Sequence, residues 1–247
     1  MATPWFKFAA PSSFYPLAGR LVPAFAVASA VLAAIGLYIG FRVAPTDAQQ
    51  GEVYRIIFIH VPAAWMSMFL YVVMAAWSAA ALGFNTRLSA MMAQAIAPTG
   101  ALMTFVALWS GALWGRPTWG TYWVWDARMT SELILLFLFL GVIALRQAIE
   151  DPRRADRACA LLTLVGIVNV PIIYFSVRWW NTLHQGASIR AGGASIESTM
   201  LTGMLLMTLA FWCYAIAVIL VRVRAIIVDR ERGSAWIATQ LPVQVAS

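Results

Sequence analysis

Residues 199–221 read TMLTGMLLMTLAFWCYAIAVILV, an apolar run without one charged side chain, followed at once by Arg222 and Arg224. A helix of about 20 apolar residues crosses the hydrocarbon core of a bilayer, and this run is long enough. Reading back towards Met1, similar runs occupy 21–41, 56–82, 90–113, 131–145 and 158–177. The shortest, 131–145, reaches the interface only with its polar start at Ser131 and Glu132. The expectation is an all-α fold, a polytopic membrane helix bundle with six transmembrane helices. Residues 1–247 form one integral membrane domain in this reading, ending in a tail over 222–247. No repeat, low-complexity tract or separate soluble domain interrupts it.

Composition agrees. The chain is 62% hydrophobic and 11% charged, with mean hydropathy +0.78, whereas soluble domains carry about 25% charged residues. So much apolar surface is expected to face lipid. The net charge of +7 would suit nucleic acid if it gathered on one polar face. Here the basic residues instead punctuate apolar runs, which excludes nucleic acid as the expected partner and points to the lipid bilayer.

Six spans put both termini on one side. That side carries 11 basic residues, densest at Arg153, Arg154 and Arg157, against 6 on the other. Cytoplasmic loops hold the excess of basic residues, so both termini are expected in the cytoplasm. Residues 1–19 mix Pro, Ser and aromatics without an apolar stretch of the secretory kind, and no cleavable signal is expected. Cys159 and Cys213 belong to no Cys-x-x-Cys pair and read as small apolar filler. Pro62, Pro98 and Pro171 fall within spans and are expected to kink them. Pro62, two residues after His60, is expected in a first helical turn, where it would hold that helix start.

The outer segments are then 42–55, 115–130 and 178–198. Around the middle one, Trp114, Trp119, Trp123 and Trp125 fall within twelve residues, joined by Tyr122, Arg116, Asp126 and Arg128. An interfacial aromatic belt explains any one of these rings. The density on one loop, with Gly115 and Gly120 permitting turns, suits a large, flat, amphipathic ligand.

His60 begins the second span and His184 lies between spans five and six; they are the only histidines, and both map to the outer face. Two imidazoles saturate the axial positions of a haem iron, whereas zinc takes three or four protein ligands. Haem also brings two propionates, which guanidinium groups match. Arg55 and Arg128 are the candidates, each equally readable as an interfacial charge. Asp126 has three readings: orienting a histidine, bracing Arg128, or holding the loop.

The run Trp119-Gly-Thr-Tyr-Trp-Val-Trp-Asp-Ala-Arg-Met-Thr130 resembles the "WWD" signature of the CcmC/CcmF/CcsA haem-handling family, most of all its CcmC branch. The resemblance extends to Tyr54–Ala64 and to Trp179-Trp-Asn-Thr-Leu-His184-Gln-Gly186, and so covers most of the chain. It departs from the family pattern at Tyr122 and Met129, where Trp and Leu are expected. The resemblance implies His60 and His184 as axial ligands of a non-covalent haem b, with the Trp119–Asp126 loop cradling the haem edge. It implies a bacterial inner (cytoplasmic) membrane location with the site facing the periplasm. It further implies delivery of haem to the periplasmic chaperone CcmE, beside the ATP-driven CcmA and CcmB and the small subunit CcmD. Larger family members carry additional membrane-embedded histidines; their absence here favours the short delivery type.

Two other functions compete. A transmembrane electron carrier stacks haem sites through the bilayer, and one outer histidine pair does not provide that. A transporter moving haem or another solute through its own bundle needs polar groups near the midplane, where the sequence offers mainly Gln94, Thr104 and Asn169. Haem delivery needs no bond made or broken, so no enzymatic activity is expected.

Overall fold

The computed structural model describes residues 8–184, 189–190 and 193–240. Lys7, Gln185, Gly186 and the end of the tail, 241–247, lie outside the described residues.

Six helices are long and apolar enough to cross a membrane, at Pro11–Val43, Glu52–Phe84, Arg87–Trp119, Ala127–Ala148, Pro152–Trp179 and Ser198–Arg230. α1 (Pro11–Tyr38) ends in a wider turn over Ile39–Val43, and a tight turn at Glu52–Ile56 leads directly into α2 (Ile57–Phe84). α3 (Arg87–Trp119) and α4 (Ala127–Ala148) follow, then the two-part span of α5 (Pro152–Gly166) and α6 (Asn169–Trp179). After a two-residue antiparallel ladder between Ile189–Arg190 and Gly193–Ala194, α7 (Ser198–Arg230) returns and short α8 (Ala235–Gln240) closes the described chain.

Packing follows the rule for helices in lipid, where small residues let backbones approach. Gly100 makes room for the Phe139 ring, Gly166 for the Tyr71 hydroxyl, and Gly40 and Gly203 for Phe58. The buried core they frame includes Met66, Met74, Met91, Ile96, Leu135 and Val223. Outward, Val27, Phe105, Phe137, Val165 and Leu209 are exposed, an apolar surface that lipid, not water, can cover. α1 packs chiefly along α7 and leaves most of its own surface open.

Several boundaries differ from the sequence reading. The expected 115–130 loop is mostly helical, because α3 runs on to Trp119 and α4 starts at Ala127, leaving only 120–126 between them. Pro117 does not stop α3; the Thr118 hydroxyl donates to the Trp114 carbonyl at 2.6 Å beside it. The expected tail from 222 is likewise helical to Arg230, since its arginines are held by the bundle rather than by water. Pro62 lies inside α2, not in its first turn, because that helix begins at Ile57. Pro171 does break its span. It has no N–H for the Ile167 carbonyl, which takes the Val170 amide at 3.0 Å instead.

Candidate functional site

His60 stands on α2 above Ala63 and Ala64, which with Ala107 of α3 form a small buried contact. Those short side chains bring α2 and α3 close enough for His60 Nδ1 to lie 3.1 Å from Ser110 Oγ. Ser110 Oγ itself donates to the Val106 carbonyl at 2.5 Å. Gly111 leaves the space the ring needs: a Cβ there would sit 2.9 Å from His60 Cε1. The edge of Trp114 closes the other side, ring centroids 5.5 Å apart. Trp114 is itself aimed by its indole N–H, which donates to Gln50 Oε1 at 2.8 Å.

His184 arrives from the segment after α6, its amide donating to Thr182 Oγ1 at 2.8 Å. Its ring packs on Trp119, centroids 5.0 Å apart. Its Nδ1 faces Asp126 Oδ2 at 3.7 Å. Asp126 caps α4 with its other oxygen, which accepts the Met129 amide at 2.8 Å. Burial and then the Arg128 cation hold the His184 imidazole below its ordinary value, against the pull of Asp126. That favours the neutral ring, which keeps a lone pair on one nitrogen.

The two histidines meet. His60, His184, Gly111, Arg128, Met129 and Glu132 line one cavity of about 30 Å³ at this end of the bundle. Arg128 also donates to the Ile173 carbonyl of α6 at 2.8 Å. In the turn between α3 and α4 and at the end of α6, Tyr122, Trp125, Trp179 and Trp180 are exposed, and Trp123 meets Trp125 edge-on at 5.3 Å. The turn that carries Tyr122, Trp123 and Trp125 is fixed by Gly120, at φ 80°, and by Arg116, which donates to the Gly120 carbonyl.

Arg55 is the sequence candidate that the structure places apart. Its guanidinium pairs with Glu52 and donates to the Gly40 and Ala44 carbonyls and to the Tyr54 hydroxyl. It pins the 39–56 segment and does not line the histidine cavity.

Sequence reasoning passed over three contributors. Ser110 and Gly111 had no signal of their own. Glu132 carries one, since a carboxylate inside an apolar span is a functional candidate by default, but at this position it doubles as the polar start of its helix. It is 6% exposed, accepts the Ser67 hydroxyl at 2.6 Å, and leaves Oε2 unpartnered at the cavity wall.

A bundle of six spanning-type helices defines a multi-pass membrane protein, here with two imidazoles, each packed on a tryptophan, and a guanidinium gathered at one end. The model of one family, CcmC, described as Heme exporter protein C, matches residues 4–238. A Heme exporter protein C of Bradyrhizobium diazoefficiens is 53% identical over 202 residues, covering 81% of this chain and 76% of its own. That of Escherichia coli K12 is 44% identical over 232 residues, 94% of each chain. A putative cytochrome c biosynthesis ccmC-like mitochondrial protein of Marchantia polymorpha is 45% identical over 181 residues, 73% of this chain and 77% of its own. The chain belongs to the CcmC, or Heme exporter protein C, family.

Proposed function

We propose that this protein holds haem b non-covalently at the histidine end of its bundle and passes it on for c-type cytochrome maturation. The observation that carries the reading is the shared cavity: His60 and His184, distant in sequence, line the same space. In each ring Nδ1 faces a protein oxygen, Ser110 Oγ or Asp126 Oδ2, which leaves Nε2 to take an iron. The donor set therefore fits an iron held between two imidazoles. Arg128 at the cavity wall supplies a cation for a propionate, and Trp119, Trp123 and Trp125 supply stacking surface. Haem is cargo here rather than a resident group, so no catalytic step is assigned to the chain.

In this proposal the histidine end faces the periplasm across the bacterial inner membrane, and both termini lie in the cytoplasm. The receiver is the chaperone CcmE, with CcmA, CcmB and CcmD as companions. The route through the bundle itself has less support. Thr104 Oγ1 donates to its own helix at Gly100, Asn169 Nδ2 to the Ser131 carbonyl, and Gln94 Oε1 accepts from Arg230. These three are committed to structure, whereas the Tyr71 hydroxyl in the middle of α2 has no hydrogen-bond partner among the described residues.

The test is the absorption spectrum of the purified protein with haem. His60→Ala and His184→Ala should each lose the two-imidazole signature and CcmE loading. Unchanged spectra and loading in both variants would remove the ligand assignment.

A further inference from the structure

A second, larger cavity of about 310 Å³ opens at the other end of the bundle, among α2, α3, α4, α5 and α7. Met74, Ala97, Val142, Ile143 and Ala160 make its walls apolar. Its charges do not balance. Asp156 takes both guanidinium nitrogens of Arg230 at 2.8 Å each and also lies 3.6 Å from Arg146. Two cations thus share one carboxylate. Arg222, which lines the same cavity, donates only to the Thr99 hydroxyl. Among the described residues it has no carboxylate partner.

Depth narrows the chemistry of the occupant. A helix of 33 residues such as α7 is about 50 Å long, against a hydrocarbon core of about 30 Å. Some 10 Å therefore projects at each end, by the same arithmetic. Arg222 stands about two turns before Arg230 and Arg146 in the last turn of α4, so both lie near the level of lipid headgroups. The walls hold no aromatic ring and no imidazole, which disfavours a second porphyrin. A narrow, flexible chain bearing an anionic head fits small apolar walls that also carry Arg222 and Arg146, and basic pockets between spanning helices bind such headgroups.

We propose that this cavity binds one anionic phospholipid, its phosphate on Arg222 and Arg146 and part of an acyl chain against Ala97 and Val142. The site is separate from the histidine cavity and stands whether or not that cavity holds haem.

The test uses the full chain in nanodiscs of equal phosphatidylglycerol and phosphatidylcholine, with native mass spectrometry counting the lipid retained. The wild type should retain phosphatidylglycerol in preference. Arg222→Gln should cut that preference about fivefold, the worth of one basic contact at a membrane surface. Ala93→Leu, which fills the cavity wall and leaves every charge in place, should also lower retention and covers the case in which Arg222→Gln fails to fold. Equal retention of the two lipids, or a preference untouched by both variants, overturns the proposal. Inorganic phosphate serves as the competing probe on delipidated protein. If it raises Tm as far as phosphatidylglycerol does, the site takes a bare anion and the lipid assignment falls.

Discussion

Asp126 Oδ2 lies 3.7 Å from His184 Nδ1, and neither buried atom has a hydrogen-bond partner among the described residues. The same carboxylate caps α4 through Oδ1. One side chain therefore both caps a helix and faces the His184 ring.

Asparagine separates those two roles, because it caps as well as aspartate but carries no charge. Asp126→Asn should keep thermal stability and lower haem affinity by about 10- to 100-fold, the usual effect of removing a partner that orients a metal-binding histidine. Asp126→Ala should add a loss of about 1 kcal/mol in stability. Haem titration alongside thermal unfolding distinguishes them; wild-type affinity in Asp126→Asn would leave the residue as a cap alone.

Gly111→Ala places a methyl group 2.9 Å from His60 Cε1. The imidazole cannot yield freely, with Ser110 on one side and Trp114 on the other. The expected result is a displaced ring and an altered haem spectrum in a protein of normal helix content. Circular dichroism and the absorption spectrum together check it.

Gly100→Ala is a test of packing. Its Cβ would lie 2.2 Å from the fully buried Phe139 ring, and overpacking of this kind costs about 1–3 kcal/mol. Unfolding in detergent should report a lower Tm. An unchanged Tm would mean that Phe139 has another rotamer open to it.

Glu197 sets a pH limit on the start of α7. It accepts the amides of Thr199 and Met200 at 2.8 and 2.9 Å, and these bonds lower its carboxyl from 4.5 to about 2. A group whose folded value is depressed stabilises above its unfolded value and loses that effect as pH falls through the folded one. The helix start should therefore be protected at pH 5 and above and fray between 4.5 and 2. Hydrogen exchange of Met200 and Leu201 measures this, and Glu197→Gln should flatten the profile.

The six spans were legible because hydropathy over about 20 residues is a strong signal. Their ends were not. α3 passes through Pro117 to Trp119 and α7 passes Arg222 to Arg230, since side-chain bonds decide those termini: local ones at Thr118 and Arg116, and ones across the bundle at Arg222 and Arg230. His60, His184, Arg128 and the tryptophans were legible as unusual residue types in an apolar chain. Arg55 looked equivalent to Arg128 in sequence; only the fold shows its donors taken up by Gly40 and Ala44. Ser110 and Gly111 were invisible, because their role is to shape the space around another residue's ring.

The hydrogen bond from Arg128 to the Ile173 carbonyl has a mechanical consequence. With the Asn169 bond to Ser131, it couples the start of α6 to the start of α4. His184 follows α6, while Asp126 and Arg128 ride on α4. His60, Ser110, Gly111 and Trp114 ride on α2 and α3. The two sets are joined: Ser67 of α2 donates to Glu132 of α4 at 2.6 Å, and Trp119 of α3 packs on the His184 ring. The histidine end is therefore one braced frame, in which a push on α6 is passed to α4 and on to α2.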